Sequence, residues 1–352
     1  MRLAPSDLAD ALLELPVVPS FTRVGPVVRS RLDGWASLDG YDMRGRTVVI
    51  TGPTSGLGLA AAAQLARCGA TLVLLGRDRS RTQAIGARLP AVAGPHDVVV
   101  ADMGDLAAVR EAAGQIRERH DRLDVLVHNA GALSAERTLT ATGLEATVAS
   151  QVVGPFLLTS LVLDLLGRGR PGRVLTMSSG GMYATGLSVE DLQMGSETYR
   201  GAEQYARAKR AQVTLNEMWA DRFADIDVVF HAMHPGWADT PGVRTSLPTF
   251  RRLTGPLLRT VEQGADTLVW LSADDEEPLA TNGLFWLDRR PRPLHRLPTT
   301  RRTDTPARRE QLWRWVSRAA QVDPVLPTPA SCVVEHPPPG RPGRRGVPGR
   351  AG

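Results

Sequence analysis

The chain has 352 residues, is 42% apolar and carries a net charge of +5 with two cysteines. That composition supports a sizeable core, and Cys68 and Cys332 alone exclude a disulfide framework and suit a reducing cytoplasm. No run reaches the ~18 consecutive apolar residues of a membrane span, and Asp7, Asp10 and Glu14 interrupt the apolar run at the N-terminus, so neither a transmembrane segment nor a secretory signal is expected.

Residues 1–45 contain short apolar pieces broken by Pro16, Pro19 and Pro26, which predicts an arm packed on the core. A β-branched run at 47–51 then ends in Gly52-Pro53-Thr54-Ser55-Gly56-Leu57-Gly58, followed by an Ala-rich helical stretch to Arg67. Strands are predicted at 71–75, 98–101, 125–128, 174–177, 227–231 and 284–287. Helices are predicted at 80–89, 106–119, 144–166, 205–223 and 262–271. Short apolar strands alternating with helices imply an α/β fold, a single doubly wound domain over residues 46–290 with a mostly parallel seven-stranded sheet. Residues 291–322, with Leu312, Trp313, Trp315 and Val316, have enough apolar area to dock on that body. Residues 323–352 are rich in Pro, Gly and Arg and are expected to be disordered. From Arg289 onward 14 arginines face Asp304, Glu310, Asp323 and Glu335, whereas residues 1–288 are slightly acidic. Few aromatics follow Trp315 and no nucleic-acid module is recognisable, so no specific nucleic-acid partner is expected.

Of the 42 basic residues one is lysine, Lys209, four positions after Tyr205 in a helical stretch. That spacing sets both side chains on one face. A compact ammonium beside a phenol stabilises the phenolate, a task for which planar arginine fits badly. Taken alone, the pair also reads as an ordinary surface contact. The glycine loop between a strand and a helix start suits backbone N–H groups that meet a pyrophosphate.

Four motifs then stand in order: Thr51-Gly52-x-x-x-Gly56-x-Gly58, Asn129-Ala130-Gly131, Ser178-Ser179, and Tyr205 with Lys209. Together they resemble the short-chain dehydrogenase/reductase superfamily. The runs Met177 to Met182 and His234 to Val243 are similar to its branch called dehydrogenase/reductase SDR family member 12. The resemblance implies a Rossmann fold and an oxidoreductase acting on CH–OH groups. It gives Tyr205 the general acid/base role, Lys209 the support of the phenolate and the ribose, and Ser179, rather than Ser178, the substrate oxygen. Gln151 stands where the superfamily has an Asn that supports a proton relay, partly through its main-chain carbonyl.

The same resemblance assigns Thr51, Gly52, Ser55, Gly56, Leu57 and Gly58 to the cofactor. Asp102, Met103, Asn129, Ala130, Gly131, Pro235, Gly236 and Thr240 join them. An NAD-type site ends the second strand with a carboxylate, whereas arginine accommodates a 2′-phosphate. Arg77 follows that strand directly, so NADP is preferred and NAD is second. No metal spacing occurs among the histidines and cysteines. The apolar segment with Val243, Leu247, Phe250, Leu253, Leu257 and Leu258 suggests a lipophilic carbonyl or alcohol substrate. The superfamily commonly assembles as homo-oligomers through its two long helices. Two other readings are a non-catalytic cofactor-binding sensor or scaffold, motivated by Gln151 and the basic tail, and an epimerase or dehydratase using the same Tyr and Lys.

Overall fold

The computed structural model describes residues 5–168 and 170–323. Its strands are β1 (Thr47–Thr51), β2 (Thr71–Gly76), β3 (Asp97–Val100), β4 (Val125–His128), β5 (Gly172–Met177), β6 (Val228–Met233), β7 (Phe285–Leu287) and β8 (Arg290–Pro291). They form one sheet in the order β3-β2-β1-β4-β5-β6-β7-β8, parallel except for β8. The sheet thus has eight strands, one more than expected. β8 is two residues long and contains Pro291, so it has no apolar run to betray it; the left-handed Asp288 and Arg289 turn the chain back onto β7.

The strands alternate between two buried faces. Val48, Ile50, Leu72 and Leu74 enter one core cluster, while Val49, Val73 and Leu75 enter the other. The helices of the arm are α1 (Pro5–Glu14), α2 (Val18–Phe21) and α3 (Val24–Leu32). Those of the body are α4 (Gly56–Arg67), α5 (Arg79–Gly86), α6 (Leu106–Arg119), α7 (Ala146–Leu165), α8 (Gly201–Arg222), α9 (Pro241–Ser246), α10 (Pro248–Thr254), α11 (Val261–Ala273) and α12 (Glu277–Ala280). The helices α13 (Pro298–Thr303) and α14 (Pro306–Ala320) follow. Residues of α4 and α11 fill one cluster, and residues of α6, α7, α8 and α14 the other. By length and composition α7 could cross a membrane, but most of it is buried inside the fold as a core helix.

Two peripheral segments close on this body. In α14, Trp313 is 1% exposed and meets Phe156 and Trp219, each with ring centroids 4.9 Å away. The arm is held by charge. Arg29, fully buried, pairs with Asp10 at 2.6 Å, Glu14 at 2.7 Å and Asp288 at 2.5 Å. Arg259 pairs with Asp288 at 2.5 Å, Arg292 with Asp10 at 2.6 Å, and Arg296 with Glu14. Acids that interrupt the N-terminal apolar run therefore neutralise part of the basic C-terminal sequence. Such a buried network positions the arm more than it stabilises it. The expected tail at 324–352 lies outside the described residues.

Candidate active site

In an open parallel sheet, ligands bind beyond the carboxyl ends of the strands where the strand order reverses. Here that point lies between β1 and β4. Thr51 ends β1, and its hydroxyl accepts the N–H groups of Asn129 and Ala130, each at 3.0 Å. Asn129 in turn donates its side-chain amide to the carbonyls of Thr51 at 3.0 Å and Gly52 at 3.1 Å. The loops after β1 and β4 are thereby fastened together.

The glycines have local reasons. Gly52 and Gly56 adopt left-handed φ values of 66° and 54°. A Cβ on Gly58 would lie 2.2 Å from the Gly52 carbonyl oxygen, so only glycine allows this turn to close. Ser55 precedes α4 and makes no side-chain cap, leaving the first N–H groups of the helix available. Thr240 and Pro241 reach across to 3.5 Å from a Cβ position on Gly56, while the Thr240 hydroxyl caps α9 through Val243 N–H at 3.2 Å. Gly236 is left-handed, and Pro235 with Leu57 borders Gly264 of α11, where a Cβ would press on the Leu57 side chain. The sequence-assigned loops therefore converge on one edge of the sheet.

Arg77 is exposed directly after β2. The neighbouring carboxylate, Asp78, is already engaged: it accepts from Arg81 N–H at 2.9 Å and Ser80 hydroxyl at 2.8 Å as the cap of α5. Asp102 likewise accepts from Gly104 N–H at 2.8 Å, and Met103 is buried, its carbonyl oxygen 2.1 Å from where a Cβ on Gly154 of α7 would be.

β5 delivers Ser178 and Ser179 with opposite fates. Ser178 is buried and donates to the Lys209 carbonyl at 3.3 Å, inside the fold. Ser179 accepts from Gly181 N–H at 3.2 Å, and its side chain acts on the nearby Tyr205 phenol so as to favour the phenolate. Lys209, 2% exposed, donates to the Met177 carbonyl at 2.9 Å, and its ammonium lies 5.3 Å from the Tyr205 ring centre. Burial pushes the lysine down to about 7 and the half-buried tyrosine up to about 12, with the Ser179 contact opposing the rise. Desolvation dominates at both groups, raising the phenol and disfavouring the ammonium. A buried ammonium with three N–H donors and one carbonyl partner suits a ligand with hydroxyl acceptors. With the open α4 N-terminus and the uncompensated Arg77, the donor set fits a nicotinamide dinucleotide.

Gln151 sits in a π-helical turn of α7, Ala149–Val153. Its amide donates to the Ala132 carbonyl at 2.8 Å, and its side-chain oxygen, which has no protein partner, abuts Gly131. Pro155, four residues on, has no N–H for the Gln151 carbonyl. The Gln212 amide takes that carbonyl at 2.6 Å instead. The main-chain group expected to serve a relay is therefore already hydrogen-bonded.

Sequence reasoning missed Gln212 and an aromatic wall. Phe21 of α2 lies 2.5 Å from where a Cβ on Gly180 would be, beside Ser179. Its ring meets His234 at 4.5 Å and Trp237 at 5.9 Å, and Trp237 meets Phe250 at 5.2 Å. Burial and nearby arginines hold His234 well below the usual imidazole range, so it is neutral. No local pattern announces Phe21, because its partner lies in another part of the chain. Within the segment expected to line the substrate pocket, Phe250 faces this wall, but Leu253 is 77% exposed and points to solvent. Among the described residues no group of three or more His, Cys, Asp or Glu is placed to hold a metal ion.

The short chain dehydrogenase family model matches residues 46–249. Dehydrogenase/reductase SDR family member 12 of Bos taurus is 37% identical over 270 residues, covering 76% of this chain and 84% of the relative. Retinol dehydrogenase 14 of Homo sapiens is 32% identical, with 72% and 80% covered. A short chain dehydrogenase from Burkholderia cenocepacia, crystallised with NADP, superposes with a TM-score of 0.57 at 23% identity, over 69% of this chain and 96% of that one. The chain belongs to the short-chain dehydrogenase/reductase family of NAD(P)-dependent oxidoreductases.

Proposed function

We propose that this protein is an NADP(H)-dependent oxidoreductase that interconverts a carbonyl and an alcohol on a lipophilic small molecule. The observation that supports the reading is the convergence of Ser179, Tyr205 and Lys209 beyond the carboxyl end of β5, on the same side of the parallel sheet as the glycine loop that follows β1. Bound nicotinamide supplies or accepts the hydride. In the reducing direction Ser179 and Tyr205 donate hydrogen bonds to the substrate oxygen, and Tyr205 passes its phenol proton to that oxygen as the alcohol forms. Lys209 stabilises the phenolate left behind. Burial raises the phenol, so the charge of Lys209 and of bound nicotinamide would have to bring it back toward the working pH range. Gln151 acts as a positioning residue, its amide fastening the loop at Ala132.

The NADP preference is supported by Arg77, by the engagement of Asp78, and by the NADP-bound structural neighbour. The lipophilic substrate is supported by Phe21, Trp237 and Phe250 and by the retinol dehydrogenase relative. Nicotinamide fluorescence with a panel of ketones, aldehydes and alcohols tests the reading. Turnover with NADPH exceeding that with NADH is the expected result. Cofactor binding without turnover on any member would favour a sensor, and NADH preference would overturn the role given to Arg77.

A further inference from the structure

An ordinary surface helix buries its apolar stripe and exposes its charges. α1 does the reverse. Asp10 and Glu14 face inward, Asp10 on Arg29 and Arg292 at 2.6 Å each and Glu14 on Arg29 at 2.7 Å, while the more exposed Asp7 reaches Arg290 at 3.0 Å. Leu8 and Leu12 lie on the outer side and Leu15 just beyond the helix, 56%, 66% and 83% exposed. Scattered exposed leucines need no explanation, but a helix anchored through Asp10 and Glu14 with Leu8, Leu12 and Leu15 turned outward does. The stripe continues. Val18 of α2 and Val24 and Val27 of α3 are also exposed. Across the seam where Arg23 N–H donates to the Leu257 carbonyl at 3.0 Å, so are Leu253 and Leu257.

The charge around this stripe selects its occupant. Arg31 shares the α3 face with Val24 and Val27, Arg23 sits on the seam, and Arg252 adjoins Leu253. All three are exposed and pair with no carboxylate among the described residues. We propose that α1, the α2–α3 seam and α10 form a docking surface for an anionic lipid bilayer, with the leucines entering the acyl boundary and the guanidiniums meeting headgroups. A second copy of the chain would set one cationic rim against another. The chain's own C-terminal sequence, with Arg341, Arg344, Arg345 and Arg350 against Glu335, carries the same sign. Anionic lipid complements both the apolar and the basic parts. The surface borders Trp237 and Phe250, so docking would bring the candidate site to the reservoir in which lipophilic substrates dissolve. The inference goes beyond the catalytic reading and is tested without turnover.

The experiment is co-sedimentation of the full chain with phosphatidylcholine vesicles, with and without phosphatidylglycerol. Binding is expected only with phosphatidylglycerol, and added salt should weaken it. The double variant Leu12→Glu, Leu15→Glu alters two exposed side chains and should keep the parent melting temperature while losing about tenfold or more in binding. Arg252→Glu should lose about fivefold or more. Each variant retains the basic C-terminal sequence. Parent-like binding by the double variant would therefore assign vesicle binding to that sequence and overturn the proposal. So would a parent that ignores phosphatidylglycerol vesicles, or a parent dimer that the double variant splits into monomers.

Discussion

The side-chain amide of Gln212 donates to the main-chain carbonyl of Gln151 at 2.6 Å, filling the gap that Pro155 leaves in the hydrogen-bond ladder of α7. Gln212→Leu strands that buried carbonyl, which costs about 1–3 kcal/mol. Pro155→Ala restores an N–H four residues along. The double variant should then be more stable than the sum of the single losses, as read by denaturant unfolding. Strict additivity would mean that the two groups do not share the carbonyl.

Arg77→Ala should weaken NADPH far more than NADH. A charge-assisted hydrogen bond contributes about 1.5–3 kcal/mol, on the order of tenfold or more in affinity. Fluorescence titration with both cofactors checks this. Equal losses would indicate a distorted loop, and no loss would place the phosphate elsewhere.

Lys209 carries a pH signature. Its pKa falls from 10.5 to about 7 on folding, through burial. Between those values the unfolded chain holds the proton and the folded chain does not, so this group's contribution to stability rises with pH across that window. Below it the fold must bury the charge. Lys209→Met removes that cost, so its advantage in melting temperature without cofactor should be largest near or below about pH 7 and shrink toward about pH 10. An advantage that grows with pH would contradict the assignment.

Trp313→Ala should destabilise by about 3–5 kcal/mol, because the indole fills a closed aromatic cluster with Phe156 and Trp219. Thermal unfolding measures it. A loss below about 1 kcal/mol would mean that α14 is a loose appendage.

Much of the fold was legible because both faces of the strands are buried: Val48, Val49 and Ile50 form a continuous apolar run whose ends are marked by turn residues. The glycine loop was legible because Gly52, Gly56 and Gly58 each answer a local steric demand. β8 was not, since a two-residue strand with a proline has no periodicity. The arm was seen as packed on the core, but not that acids would hold it or that Phe21 would stand beside Ser179. Those relationships join distant parts of the chain. The Tyr205 phenol shows a different limit: the spacing to Lys209 is visible in sequence, whereas the balance between charge and desolvation depends on how deeply the pair is enclosed.

The central claim is that Tyr205 transfers the proton. Steady-state turnover and NADPH titration of Tyr205→Phe test it most directly, because the substitution removes the phenol oxygen and leaves the ring. The account predicts kcat lower by about 10²–10⁴ with NADPH affinity within a few-fold of the parent. Near-parent kcat in the variant would contradict it.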